Sequence, residues 1–137
     1  MRRLMIALGL RLCFVAPAAA QECLHGPNET AEQRNRRREA IGAARAVNTI
    51  QANQSHSGEK RFVRHEELAT SPFVTQRSQS FHAFNFAPGA EIVPGWELTL
   101  DVTNSGYWFM IKDQNDPCGF AYISNTKGLI YEAEPIR

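Results

Sequence analysis

From Ala31 to about Gln54 the chain runs without proline, and Ala40, Ala43, Val47 and Ile50 recur at the spacing of one helix face, bordered by Ala44 and Gln51. A long helix is therefore expected. Thr30 offers an N-cap with Gln33 three residues on, the capping-box spacing. Glu29 and Glu32 place negative charge where the helix dipole favours it. The apolar stripe is narrow and mostly alanine, so the helix can approach a neighbour closely. Gly42 weakens it by about 1 kcal/mol relative to alanine. Ser55 to Gly58 should end it, with Gly58 as the stop.

The period changes in the last third. Trp96, Leu98, Leu100 and Val102 alternate with Glu97, Thr99 and Asp101, which gives a strand with one buried and one wet face. Asn104-Ser105-Gly106 turns the chain, and Tyr107 to Lys112 returns as a second strand. Phe120 to Ile123 reads as a third strand and Leu129 to Glu132 as a fourth, joined by a turn at Asn125 to Gly128. Links this short favour an antiparallel meander whose apolar face the helix must cover. Before it, Phe62-Val63 reads as extended and Glu66-Glu67-Leu68 as one helical turn. Thr70 to Gly95 is the least regular stretch, punctuated by Pro72, Pro88-Gly89 and Pro94-Gly95. The expected fold class is α+β, one long N-terminal helix packed on a four-stranded antiparallel meander sheet.

The first twenty residues stand apart from this plan. Met1-Arg2-Arg3 is positive, Leu4 to Val15 is mostly apolar, and Ala16 to Ala20 supplies small residues with Ala18 and Ala20 at the protease-readable positions. Residues 1–20 are read as a signal peptide, with a retained signal-anchor as the rival, and residues 21–137 as a single domain. Arg11 shortens the apolar core below the roughly 20 residues that a spanning helix needs, so no membrane span is expected after cleavage. Removing Arg2, Arg3 and Arg11 moves the net charge from +1 to −2. That balance gives no bulk attraction to nucleic acid or anionic lipid. A periplasmic or secreted location follows, and there the two remaining cysteines, Cys23 and Cys118, are expected to form a disulfide.

Candidate chemistry is sparse. His25, His56, His65 and His82 have long spacings without an i, i+4 helical pair, so they read as solvated surface histidines and no metal site is expected. Glu66 and Glu67 are adjacent and would not face each other on a helix. Asp113 and Asp116 suit turn chemistry as well as a hard cation. Arg34 and Arg36 to Arg38 fit a solvated helix turn better than a docking patch. No nucleophile-elbow pattern and no cofactor motif is present. Asn28-Glu29-Thr30 and Asn53-Gln54-Ser55 match glycosylation sequons. The aromatic stretch supplies the candidate binding surface, Phe81, Phe84, Phe86 and Trp96, weighed against their folding back to cover the sheet.

Ala40-Ile41-Gly42-Ala43-Ala44-Arg45-Ala46-Val47-Asn48-Thr49-Ile50-Gln51 resembles the helix segment of type IV pilin-like and pseudopilin-like proteins. Gly58-Glu59-Lys60-Arg61-Phe62 and Glu66-Glu67-Leu68 resemble the stretch that follows that helix. Pro117 to Tyr122 with Gly128 to Tyr131 resembles the family's last hairpin. The resemblance covers most of residues 31–69 and 96–134. It implies a long helix on an antiparallel sheet, and it implies assembly into a filament or pseudopilus. The sequence departs from the second implication. Gly9 to Cys13 lacks the glutamate that follows the family's processing site, and cleavage after Ala20 would discard the apolar segment. Pairing Cys23 with Cys118 also differs from the family's bridge between two late cysteines.

The functional expectation is an exported, non-catalytic binding or assembly-accessory module of the cell envelope, with an envelope protein or peptide as partner and no cofactor. The alternative is a small extracytoplasmic enzyme whose site is assembled from loops, with His82 and Asp116 as residues to test.

Overall fold

The computed structural model describes residues 23–56 and 61–134. The expected signal peptide and the helix stop at Gly58 lie outside them. The alanine stripe forms helix α1, Ala31–His56. Thr30 Oγ1 accepts from the Gln33 backbone N–H, and Gln33 Oε1 accepts from the Thr30 N–H, so the capping box closes in both directions. Ala40, Ala43, Ala44, Ala46, Val47 and Ile50 are all buried. Short α2, His65–Leu68, is the helical turn expected at Glu66 to Leu68; α3, Pro72–Gln76, and α4, Ser78–Phe81, follow it.

The sheet has five antiparallel strands in sequence order, which corrects the expected four. They are β1, Glu91–Val93; β2, Trp96–Val102; β3, Tyr107–Asp113; β4, Ala121–Asn125; and β5, Tyr131–Ala133. The additional strand is β1. Three residues are too few to display an alternation, and Pro94-Gly95 reads in the sequence as loop punctuation. In the fold it is a hairpin turn, with Val93 paired to Trp96. Gly95 is required there by its φ of +82°.

One face of the sheet carries the core. Trp96, Leu98, Phe109, Ile111 and Tyr122 point towards α1, which packs against β1, β4 and α3. Phe62, Phe73, Phe81 and Phe84 pack against the edge of this core. The Asn48 to Gln51 element, singled out by resemblance, provides the polar clamps of the helix. Gln51, fully buried, donates to the Val63 carbonyl (2.7 Å) and accepts from the Val63 N–H (2.8 Å). Asn48 accepts from the Tyr107 hydroxyl (2.9 Å) and donates to Ser124 Oγ and the Gly128 carbonyl. These contacts set the helix's rotation, because a quarter turn would leave each buried polar group unpaired.

Gln51→Ala strands the N–H and C=O of buried Val63. It should lower unfolding free energy by about 2–4 kcal/mol, read as a fall in the urea midpoint. Asn53→Ala, at an exposed helix position, should change stability by less than about 0.5 kcal/mol.

Candidate functional site

Two places gather side chains that the fold alone does not explain: a buried polar slot beneath the start of α1, and the outer face of the sheet. The slot is built by the lead-in Cys23 to Glu29. Cys23 is bridged to Cys118 in the β3–β4 loop, as expected, with Cα atoms 5.2 Å apart. His25, two residues beyond the bridge, lies inside, which corrects the expectation that the histidines are surface groups. His25 is 6% exposed, with its ring 4.4 Å from that of Phe120 and 5.5 Å from that of Trp96. Its Nδ1 lies 2.6 Å from a Glu29 carboxyl oxygen, and its Nε2 lies 2.8 Å from one of Asp113. Each of these contacts needs a proton on the ring nitrogen or on the facing carboxyl, so the ring and the two acids share their protons across both hydrogen bonds. Arg37 approaches Glu29 at 3.5 Å and the Phe120 ring at 5.9 Å. With His25 between the two acids and Arg37 at the rim, each buried ionisable group has a polar partner, the condition under which such groups are tolerated indoors.

Asp116 holds the adjoining loop. One of its oxygens, Oδ1, accepts from the Leu24 N–H (2.9 Å) and the Cys118 N–H (3.3 Å), while Oδ2 accepts from the Phe120 N–H (2.9 Å). Burial alone would raise its pKa. The three N–H groups outweigh that, with the charge of His25 assisting, and hold the carboxyl below its ordinary value. Tyr122, 1% exposed and stacked on Trp96, has a hydroxyl without a hydrogen-bond partner. Burial pushes its pKa far above the ordinary tyrosine range.

As catalytic machinery the slot is closed. Both ring nitrogens of His25 are occupied by carboxyl groups, and among the described residues no hydroxyl or thiol is hydrogen-bonded to the ring. Among the described residues, no group of three His, Cys, Asp or Glu side chains is arranged to hold a metal ion. His65 is half-buried, its pKa lowered by burial against an opposing effect of Glu66. His82 is exposed and bonded to the Gln79 carbonyl. It does not meet Asp116, so the fold does not assemble the loop residues chosen to test the enzyme reading.

The four aromatics of the candidate binding surface are mostly core. Trp96 (1% exposed) and Phe86 (3%) are corrected to interior positions. Phe81 and Phe84 are half-buried; the Phe84 ring lies against α1, 3.6 Å from where a Cβ on Gly42 would stand. Phe73, Phe81, Phe86 and Phe84 form a chain of ring contacts beside the sheet. Next to it lies an open depression of about 420 Å³ lined by His82, Phe84, Glu91 and Pro94 among others.

Exposed apolar residues lie elsewhere. Met110 pairs across the sheet with Ile123, and Ile123 with Tyr131, so these three form a row on the face away from α1. Trp108 is two residues before Met110 and shares its face, with its indole N–H donated to Asp101 (3.1 Å). Trp108 is 43% exposed, Ile123 36% and Tyr131 51%, and Leu129 in the preceding connection 56%. Paired Glu91 and Glu97, with Asp101, make the β1–β2 flank acidic. The alternation of β3 and β4 contains this row, but short strands with apolar residues on both faces conceal which side faces water.

No family model, curated protein or solved structure matches the chain.

Because the Asp116 carboxyl is held below its ordinary value of 3.8, its stabilising effect is complete above that value. It is lost as pH falls through the lowered folded-state value. Melting temperature measured from about pH 6 to about pH 2 should therefore fall less steeply for Asp116→Asn than for the parent. At neutral pH the variant should be less stable by about 1–3 kcal/mol. Tyr122→Phe removes an unpaired hydroxyl and keeps the ring stack. Its urea midpoint should equal or exceed the parent's, by up to about 1 kcal/mol of stability.

Proposed function

We propose that the protein is an exported, non-catalytic binding or assembly-accessory module of the cell envelope, with a pilin-like domain that works in the periplasm or outside the cell. The observation that carries this reading is the row of Met110, Ile123 and Tyr131 with Trp108 on the outer face of the sheet. A contiguous apolar patch left in water by a folded domain marks a place where another surface docks. Its flank carries Glu91, Glu97 and Asp101 against the cation Lys112 paired with Glu97, a net acidic border that favours a protein or peptide presenting apolar side chains bordered by basic ones. Export is supported by the leader-like composition of residues 1–20 and by the disulfide. Among the described residues no helix is long and apolar enough to cross a membrane.

Site-specific photocrosslinking in the native envelope tests this. A photoreactive phenylalanine at Trp108, Ile123 or Tyr131 should yield one shared adduct, identified by mass spectrometry, and the same group at Arg45 on the exposed helix face should yield none. Adding salt to about 1 M should weaken the adduct, because flanking charges are screened. Adducts only at Phe84, or none at the three sheet positions, would overturn the proposal.

A further inference from the structure

The lead-in touches the domain through one covalent bond and several non-covalent ones, and the non-covalent set is arranged around the covalent one. A single oxygen, Asp116 Oδ1, accepts from the backbone N–H of Leu24 and from that of Cys118. Leu24 follows Cys23, so this one atom draws together the backbones on both sides of the bridge. Two residues beyond Cys23, the His25 ring is held between Glu29 and Asp113 and against Phe120 and Trp96. Glu29 in turn sits at the start of α1, near Arg37 and with its carbonyl bonded to Arg34. Apart from the bridge, the segment is thus fixed at Leu24, His25 and Glu29 by groups that belong to α1, the sheet and the β3–β4 loop.

We infer that residues 23–29 are a self-docking strap: His25 and Asp116 seat the segment without help from the disulfide and thereby present Cys23 to Cys118. His25 is a positioning residue for bridge formation. Its docking raises the effective concentration of one thiol at the other, and by linkage the closed bridge strengthens docking by the same factor. With a small disulfide such as glutathione disulfide as oxidant, one protein thiolate attacks it and releases glutathione thiolate. The second protein thiolate then displaces the remaining glutathione. Two protein thiols are oxidised, one glutathione disulfide is reduced to two thiolates, and the two protons lost by the protein thiols pass through solvent to them, giving two glutathione thiols. Reduction alone leaves the strap seated, so the slot under α1 stays filled in either redox state.

Two measurements test this. In the full chain carrying Cys23→Ser and Cys118→Ser, the Leu24 amide should remain protected from exchange, and the His25 ring should keep the nitrogen-15 shifts it has in the parent. If the amide exchanges and the ring shifts move to those of an unstructured peptide while the sheet amides stay protected, the disulfide was holding the strap and the inference fails. Equilibration with glutathione, in chains carrying Cys13→Ser so that one pair titrates, gives the effective concentration of the bridge. His25→Gln should lower it by at least about tenfold, the equivalent of one charged hydrogen bond. An unchanged value with the sheet intact would overturn the inference; if the variant loses the sheet, the exchange measurement alone decides.

Discussion

One helix cannot cover five strands. Strands about 4.8 Å apart set the outermost pair of a five-stranded sheet roughly 19 Å from each other, and a helix with its side chains is about 10 Å across. The rest of the molecule answers this shortage of width. The alanine face brings α1 down onto the sheet, where Val47 and Ile50 fill the contact. On one side the aromatic chain of Phe73, Phe81, Phe86 and Phe84 fills the space left over. At the end near the β3–β4 loop, the lead-in does so with His25. The lead-in has no regular structure, and the aromatic cover has only the short helices α3 and α4, so each is anchored by specific contacts rather than by a repeating ladder.

Covering a sheet with irregular chain brings backbone and polar side chains indoors, and unpaired they would be costly. Val63 is carried by Gln51, the loop at Cys118 by Asp116, and the helix–sheet seam by Asn48, Tyr107 and Ser124. The slot around His25 follows the same rule with formal charges. Its residues form a closed set of partners, which accounts for the burial of His25, Glu29 and Asp113, ionisable side chains that charge counting alone would have put in water. The exposed apolar row is the reverse case, side chains that folding leaves without a cover.

The parts of this architecture written in periodic signals were legible. Helix α1, its cap at Thr30, and strands β2 to β5 follow from spacing, and the Cys23–Cys118 bridge was expected from the leader-like composition of residues 1–20 and the cysteine count. Strand β1 was concealed by brevity and by a Pro-Gly pair that serves loops and hairpins alike. His25 was concealed because a histidine is identified as buried only when its partners are known, and Asp113 is 88 residues away. The aromatic stretch gave composition without orientation: four phenylalanines and a tryptophan do not say which of them face water. Trp96 and Trp108 show the difficulty, since both lie on strands of alternating burial, one at the inner face and one at the outer.

The bridge also determines how the molecule would carry a load. It closes a ring of chain from Cys23 to Cys118, inside which lie α1 to α4 and β1 to β3. A pull on the two ends would pass from Cys23 directly to Cys118 and then through β4 and β5 alone. The helix and the first three strands would be bypassed, whatever their own strength. Tension would strip the last two strands from the sheet first, and only a reductant would open the ring to force.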